Sequence, residues 1–325
     1  MPISIAMLKN VISVITGRGN KRLAASLRYG LGVLVLLSHF ATAAKLPASV
    51  LQQPITLLTG ETLTLAQYQG KQPLYLKFWA SWCQPCRQQM PHFQEVQQRY
   101  GDKIAVLGIN LAINDPLNTV QQTLTDYGLT MPTAMDSRGD LARAFRLQGT
   151  PYHLLLDRHG QLVHRGHEAD QPLDNKLALL AQSETVAQLD ASQLIETGPA
   201  LTLPIDNGKT HALLFTATWC DWYLAETRPQ HAQYCAEAQQ HINRLAKANP
   251  HIRWQGIVSR LWTGEKDLAE YRKKFAVTLP LAIDQRNSWF YRYRVNQFPT
   301  LIVIQQGREV YRVSGDLSGV DTLRW

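Results

Sequence analysis

The chain carries one stretch twice. Residues 76–86 read LKFWASWCQPC and residues 213–223 read LLFTATWCDWY; they align without a gap, Phe78 with Phe215, Ala80 with Ala217, Trp82 with Trp219 and Cys83 with Cys220. A repeat limits the fold more than any single motif, because one supersecondary plan must serve both copies. The chain after each copy keeps step: 43 residues separate Gly108 from Pro151, and 43 separate Gly256 from Pro299. In the first copy IAVLGINL, a helical pattern near 116–128, PTAMD, DLARAFRLQ and GTPYHLLLDRHGQLVHRG read as strand, helix, strand, short helix and hairpin. IRWQGIV, EKDLAEYRKKFAV, PLAID, SWFYRYRVN and QFPTLIVIQQGREVYRVSG repeat that order. From motif cysteine to glycine the distance is 25 residues in the first copy and 36 in the second, so the second holds an insertion of eleven, with Cys235 in or beside it. Alternating strands and helices that close on a hairpin predict an α/β fold, a mixed sheet flanked by helices and built twice in tandem. With 325 residues, 45% of them hydrophobic, the chain is long enough for two such cores. The expected division is a leader over 1–44, a first domain over 46–182 and a second over 183–325, with the polar stretch 183–200 as linker.

A formal charge of +8 raises the question of nucleic acid, which its distribution answers. Lys9, Arg18, Lys21, Arg22 and Arg28 lie in residues 1–44 with no acid among them, and without that segment the excess falls to +3. No nucleic-acid partner is expected. The basic segment, the sixteen uncharged residues from Tyr29 to Ala44 and the small-residue run ATAA follow the order of a secretory signal peptide, with cleavage after Ala43 or Ala44. An uncleaved membrane anchor and an organelle transit peptide are the competing readings, although sixteen residues fall short of the ~20 that a span requires. Export to the periplasm or cell envelope is expected, with any membrane contact through this segment alone.

The four cysteines are Cys83, Cys86, Cys220 and Cys235. Disulfide exchange needs a thiolate to attack and a second thiol to resolve the mixed disulfide. A C-x-x-C opening a helix supplies both, because the unpaired N–H groups and positive dipole end stabilise the first thiolate. LYLKFWA runs as a strand into Cys83 and CRQQMPHFQEVQQRY reads as the following helix, so Cys83 is expected as the exposed nucleophile and Cys86 as the buried resolving thiol. The histidines nearby form no ligand set that would turn the pair into a zinc site, and neither metal nor cofactor is expected.

FWASWCQPC, the helix proline Pro91, LTLAQYQGKQPLYLKFW before the motif and GTPYHLLLDRHGQLVHRG after it resemble the thioredoxin superfamily, in particular the exported TlpA/ResA-like thiol–disulfide oxidoreductases. The resemblance covers roughly residues 46–180. It implies a cis bond before Pro151, and a substrate groove in which Thr150 and Pro151 lie beside Trp82, Gln84 and Pro85. Two positions depart from the family pattern. Lys77 stands where thioredoxin has a buried aspartate, and Gln89 where ResA-like reductases have a glutamate. Lys77 has two readings: a buried amine that modulates Cys86, or a side chain whose stem alone is buried and whose ammonium reaches solvent. Gln84 and Pro85 between the cysteines lack the histidine of strongly oxidising relatives and favour reduction, while Thr150 pulls weakly toward oxidase or isomerase activity. The implied partners are protein thiols or disulfides and a membrane thiol electron donor; apocytochrome thiols and misoxidised envelope proteins are the family's substrate classes. A non-enzymatic chaperone or scaffold is the alternative class.

The second copy resembles a thioredoxin-like domain more weakly, through Trp219, Cys220, Pro229 and a cis proline expected at Pro299. Tyr223 replaces the resolving cysteine. Three readings stand open: Cys220 pairs with Cys235, Cys220 acts alone as a redox thiol, or the copy is a docking domain that has lost catalysis. A continuous helix would hold Cys220 and Cys235 too far apart for a bridge, so pairing requires the chain to fold back.

Overall fold

The structure is a computed structural model that describes residues 46–194 and 198–322; the predicted leader lies outside these residues. The first lobe opens with α1 (Ala48–Leu51) and the small hairpin β1 (Ile55–Thr56) and β2 (Thr62–Leu63). Its main body runs β3 (Leu74–Trp79), α2 (Gln84–Gln88), α3 (Met90–Tyr100), β4 (Ala105–Asn110), α4 (Leu117–Asp126) and β5 (Thr133–Met135). It closes with α5 (Asp140–Ala144), β6 (Tyr152–Leu156), β7 (Leu162–Gly166) and α6 (Gln171–Ala181). The second lobe runs β8 (His211–Thr216), α7 (Cys220–Tyr223), α8 (Pro229–Ala248), β9 (Arg253–Ser259) and α9 (Glu265–Lys274). It ends with β10 (Leu281–Asp284), α10 (Ser288–Arg292), β11 (Thr300–Gln305) and β12 (Arg308–Ser314).

The strand orders are β5-β4-β3-β6-β7 and β10-β9-β8-β11-β12, the same order position for position. In each sheet the strand leading to the motif cysteine is central, parallel to one neighbour and antiparallel to the other. Helices cover both faces, so the central strand has no solvent side: all six residues of LYLKFW are buried, and so are all six of HALLFT. The glycine that marks the repeat has a packing reason in both lobes. A Cβ on Gly108 would stand 3.0 Å from Thr133 Oγ1, and one on Gly256 only 2.1 Å from Leu281 Cδ2.

Three details add to the sequence expectation, the first of them as a departure from it. The helix after Cys86 is two helices, α2 and α3, because Pro91 has no N–H to give to the Arg87 carbonyl and the chain breaks at Gln89. In the second lobe α8 has 20 residues where α3 has 11, so the insertion went mostly into helix length. Within the described residues 183–194 of the predicted linker, Val186, Ala191 and Leu194 are buried, and Leu189 N donates to Leu162 O at 2.7 Å. One apolar cluster runs through both lobes, from Leu46 to Ile304, which joins them more firmly than an ordinary domain contact.

Candidate active site

Cys83 caps α2, and its sulfur accepts a hydrogen bond from Cys86 N at 3.2 Å. The two cysteines are joined in a disulfide with 5.2 Å between Cα atoms. Thr150–Pro151 is cis, and so is Phe298–Pro299, as the resemblance implies. Cys86 is buried as expected. Cys83 departs from expectation: its exposure is 0%, so it is not an exposed nucleophile in this arrangement.

The second lobe covers it. Tyr223 Oη accepts from Gln84 N at 3.2 Å, so the residue that replaced the resolving cysteine sits at the mouth of the first motif. Trp82 stacks on Trp219 with ring centroids 5.0 Å apart, and Trp262 stands edge-on to Trp82 at 5.7 Å. Burying three indoles and a tyrosine together explains why this face does not stay in water. The two indoles are anchored alike, Trp82 Nε1 to Ile113 O at 2.6 Å and Trp219 Nε1 to Leu261 O at 2.7 Å. The backbone contacts are reciprocal too: Trp262 N donates to Gln148 O at 2.8 Å, and Asn114 N donates to Asn296 O at 2.9 Å. Asn114 and Trp262 are equivalent in the repeat, as are Gln148 and Asn296, so the lobes meet as the halves of a two-fold dimer do. Each inserts its loop beside the other's cis proline. A polar clamp adds to this: Arg228 Nη2 donates to Ser81 Oγ at 2.6 Å and lies 3.3 Å from the buried Asp115 carboxylate, which also receives Ser81 N and Asn110 Nδ2.

Beneath the motif, Lys77 is fully buried, so the reading in which its ammonium reaches solvent does not hold. Its Nζ donates to Gln89 O at 3.1 Å and lies 5.2 Å from the Phe93 ring centroid. Desolvation by burial brings its pKa down from 10.5 to about 7. The Lys77 strand pairs directly with His153. His153 Nε2 donates to Gln89 Oε1 at 2.8 Å, leaving Nδ1 to accept from Tyr75 Oη at 2.7 Å. Burial first, and then the charge of Lys77, holds the His153 pKa well below 6.5. Gln89 Nε2 reaches His167 O at 3.1 Å, and His167 Nδ1 donates to Pro151 O at 2.7 Å. A hydrogen-bonded path thus links the helix break after Cys86 to the cis-proline loop. Sequence reading missed His153 and His167; the register of the β3–β6 pair was the signal that would have placed His153 opposite Lys77.

Of the residues predicted for the groove, Gln84 and Pro85 lie between the two cysteines at the start of α2, with Tyr223 on Gln84 N; Trp82 packs against Trp219 and Trp262, and the cis Thr150–Pro151 bond leads into β6 with the Pro151 carbonyl held by His167. A redoxin family model matches residues 41–180. Thioredoxin-like protein YneN of Bacillus subtilis is 34% identical over 125 residues, which cover 38% of this chain and 72% of that one. The chain belongs to the redoxin family of thioredoxin-like proteins. Thiol-disulfide oxidoreductase ResA of Halalkalibacterium halodurans is 29% identical to this redoxin over 126 residues, 38% of this chain and 70% of its own. Among solved structures, StoA from Bacillus subtilis aligns at 24% identity and a TM-score of 0.34, covering 39% of this chain and 95% of StoA.

Outside the matched redoxin lobe, Cys220 and Cys235 form a disulfide with Cα atoms 5.9 Å apart. The chain folds back between α7 and α8, which removes the continuous helix that would have kept them apart. Both sulfurs are in buried residues. The bridge closes a loop of 15 residues, for which chain entropy predicts about 3 kcal/mol. The double substitution Cys220→Ala, Cys235→Ala is expected to lower unfolding free energy by roughly that amount in urea denaturation. Disulfide exchange at Cys83 should persist below the shifted midpoint. Among the described residues, no group of histidine, cysteine and carboxylate side chains could hold a metal ion.

Proposed function

We propose that this thiol–disulfide oxidoreductase reduces protein disulfides in the cell envelope, with Cys83 attacking and Cys86 resolving. The observation that carries the reading is the vicinal pair at the start of α2, where the Cys86 N–H already points to the Cys83 sulfur. In the reduced protein the Cys83 thiolate attacks one sulfur of a substrate disulfide and forms a mixed disulfide, and the other substrate sulfur leaves as thiolate. The Cys86 thiolate then attacks Cys83 Sγ, the second substrate thiolate leaves, and the Cys83–Cys86 disulfide closes. Two electrons pass to the substrate. An external dithiol, in this reading a membrane thiol protein, restores the reduced pair.

The names of the ResA relatives support the reaction class. Absence of histidine between Cys83 and Cys86 supports the reducing direction, and the basic, acid-free residues 1–44 support export. The second lobe is read as a degenerate thioredoxin-like domain, since it repeats the strand order of the first while Cys220 is tied to Cys235. It acts as a cover for the groove. With Cys83 at 0% exposure, a protein substrate reaches it only after Tyr223 and Trp262 move aside.

A redox titration in dithiothreitol or glutathione buffers, read by alkylation and mass spectrometry at each cysteine, tests the direction. A potential near that of thioredoxin, about −270 mV, is expected. Equilibration near about −120 mV, the value of a strong oxidant, would turn the reading into an envelope oxidase.

A further inference from the structure

On another part of the seam between the lobes, α5 and α10 face each other. They are equivalent in the repeat, and each is capped the same way. Asp136 accepts from Leu141 N at 3.1 Å and Ala142 N at 2.7 Å, and Asp284 from Trp289 N at 2.6 Å and Phe290 N at 3.3 Å. Three residues after each aspartate φ is positive in both lobes, Gly139 at 69° and Asn287 at 49°, the dihedral region that glycine and asparagine tolerate best. The helices approach so closely that a Cβ on Gly139 would lie 2.3 Å from the Tyr291 ring.

Between them lies a groove of about 690 Å³ in which five of the eight lining residues are arginine and only one is acidic. Arg138 and Arg286 occupy equivalent positions of the two lobes, just before the positive-φ residue, and Arg143, Arg292 and Arg294 complete the set. Asp140 does not neutralise them. It lies 2.7 Å from Arg138 and 3.6 Å from Arg143, and the side chains of those arginines remain 69% and 59% exposed. Arg286 gives its Nε to the Gly198 carbonyl at 2.6 Å, and Arg292 stands over the Trp289 and Tyr293 rings. These contacts orient guanidinium groups without cancelling their charge. Tyr291, which also lines the groove, carries a buried hydroxyl with no hydrogen bond of ordinary geometry. Crowding five like charges is unfavourable unless something of opposite sign relieves it.

We propose that this groove is a binding site for a small multivalent oxyanion, of the phosphate or carboxylate class, held by guanidinium groups of both lobes. Planar guanidinium forks match the paired oxygens of phosphates and carboxylates. The concave shape and volume fall in the range of small-ligand sites, which separates this groove from a surface that lies on a membrane. The site exists only while the lobes are docked, since neither lobe supplies the full set of arginines.

Isothermal titration of the full chain with pyrophosphate and, separately, with citrate tests the proposal at constant ionic strength. Saturable binding of about one ion per chain to at least one probe is expected, weakened about tenfold or more by the double substitution Arg138→Ala, Arg294→Ala. Preference for pyrophosphate or for citrate assigns the phosphate or the carboxylate class. Should the double variant fail to fold, Arg294→Ala alone gives the same comparison with an expected loss of several-fold. Heats that never saturate with either probe, or saturable binding that the substitutions leave unchanged, overturn the proposal. Dithiothreitol reduction of the Cys83–Cys86 bond serves as the control and is expected to stay as in the unaltered protein.

Discussion

Serine in place of Cys83 is expected to lower protein-disulfide reduction at least about a thousandfold, because a hydroxyl is not an attacking thiolate at neutral pH. Serine is nearly the same size as cysteine, so the buried site should keep its packing, and far-ultraviolet circular dichroism should match the unaltered chain. Cys86→Ser should behave differently. Attack would proceed while resolution fails, so a covalent adduct with the substrate should accumulate on a non-reducing gel and vanish with dithiothreitol. An adduct that forms with Cys83→Ser and not with Cys86→Ser would reverse the two roles. Insulin reduction followed by turbidity gives the rate, and the pair of variants gives the assignment.

Lys77→Met should change how stability depends on pH. Lys77 has a folded pKa of about 7 against 10.5 for the free side chain, so between these values the unfolded chain binds more protons than the folded one. Folding therefore gains stability as pH rises from about 7 toward 10.5, and below that window the folded protein carries the whole cost of a buried ammonium. At about 1.4 kcal/mol per pH unit, that cost is on the order of 5 kcal/mol. Methionine removes the charge and keeps the stem, at the expense of one of the two hydrogen bonds that Gln89 O accepts, the one from Phe93 N remaining, a loss of about 1 kcal/mol. The variant should thus be more stable at pH 6 by a few kcal/mol and should lose the alkaline rise, both readable from urea midpoints taken at several pH values. A parallel rise in the variant would place the titration elsewhere. His153 carries the same sign, since a pKa held below 6.5 also makes acid unfavourable to the fold, so some acid sensitivity should survive the substitution.

The repeat made much of the architecture readable before any coordinates. The two 43-residue intervals placed matching glycines in β4 and β9 and matching cis prolines before β6 and β11. LKFWASWC announced a strand ending at a helix cap, and the C-x-x-C carried its own chemistry in four residues. Local patterns failed where the physics was non-local. Nothing near Cys83 shows that a tyrosine 139 residues downstream would reach Gln84 and close the mouth. Lys77 in LYLKFW looked able to reach solvent, and only the helices on both faces of β3 shut it in. The Cys220–Cys235 bridge turned on where one helix stopped, which Pro229 hinted at without deciding. The arginine groove was the hardest to foresee, because each lobe holds part of it and the equivalence of Arg138 and Arg286 has meaning only once the lobes are face to face.

The reciprocal pairing of Trp262 with Gln148 and of Asn114 with Asn296 has a kinetic consequence. A substrate segment seeking the cis-proline loop meets a competitor tethered to the same chain. Tethering gives such a competitor an effective concentration of roughly millimolar or more, far above any dissolved protein substrate. Chance encounters at micromolar levels lose that contest, while a partner already concentrated nearby, or one that draws the lobes apart by its own grip, wins it. Under the proposed function, selectivity in this redoxin arises from what must be displaced as much as from what the groove itself prefers.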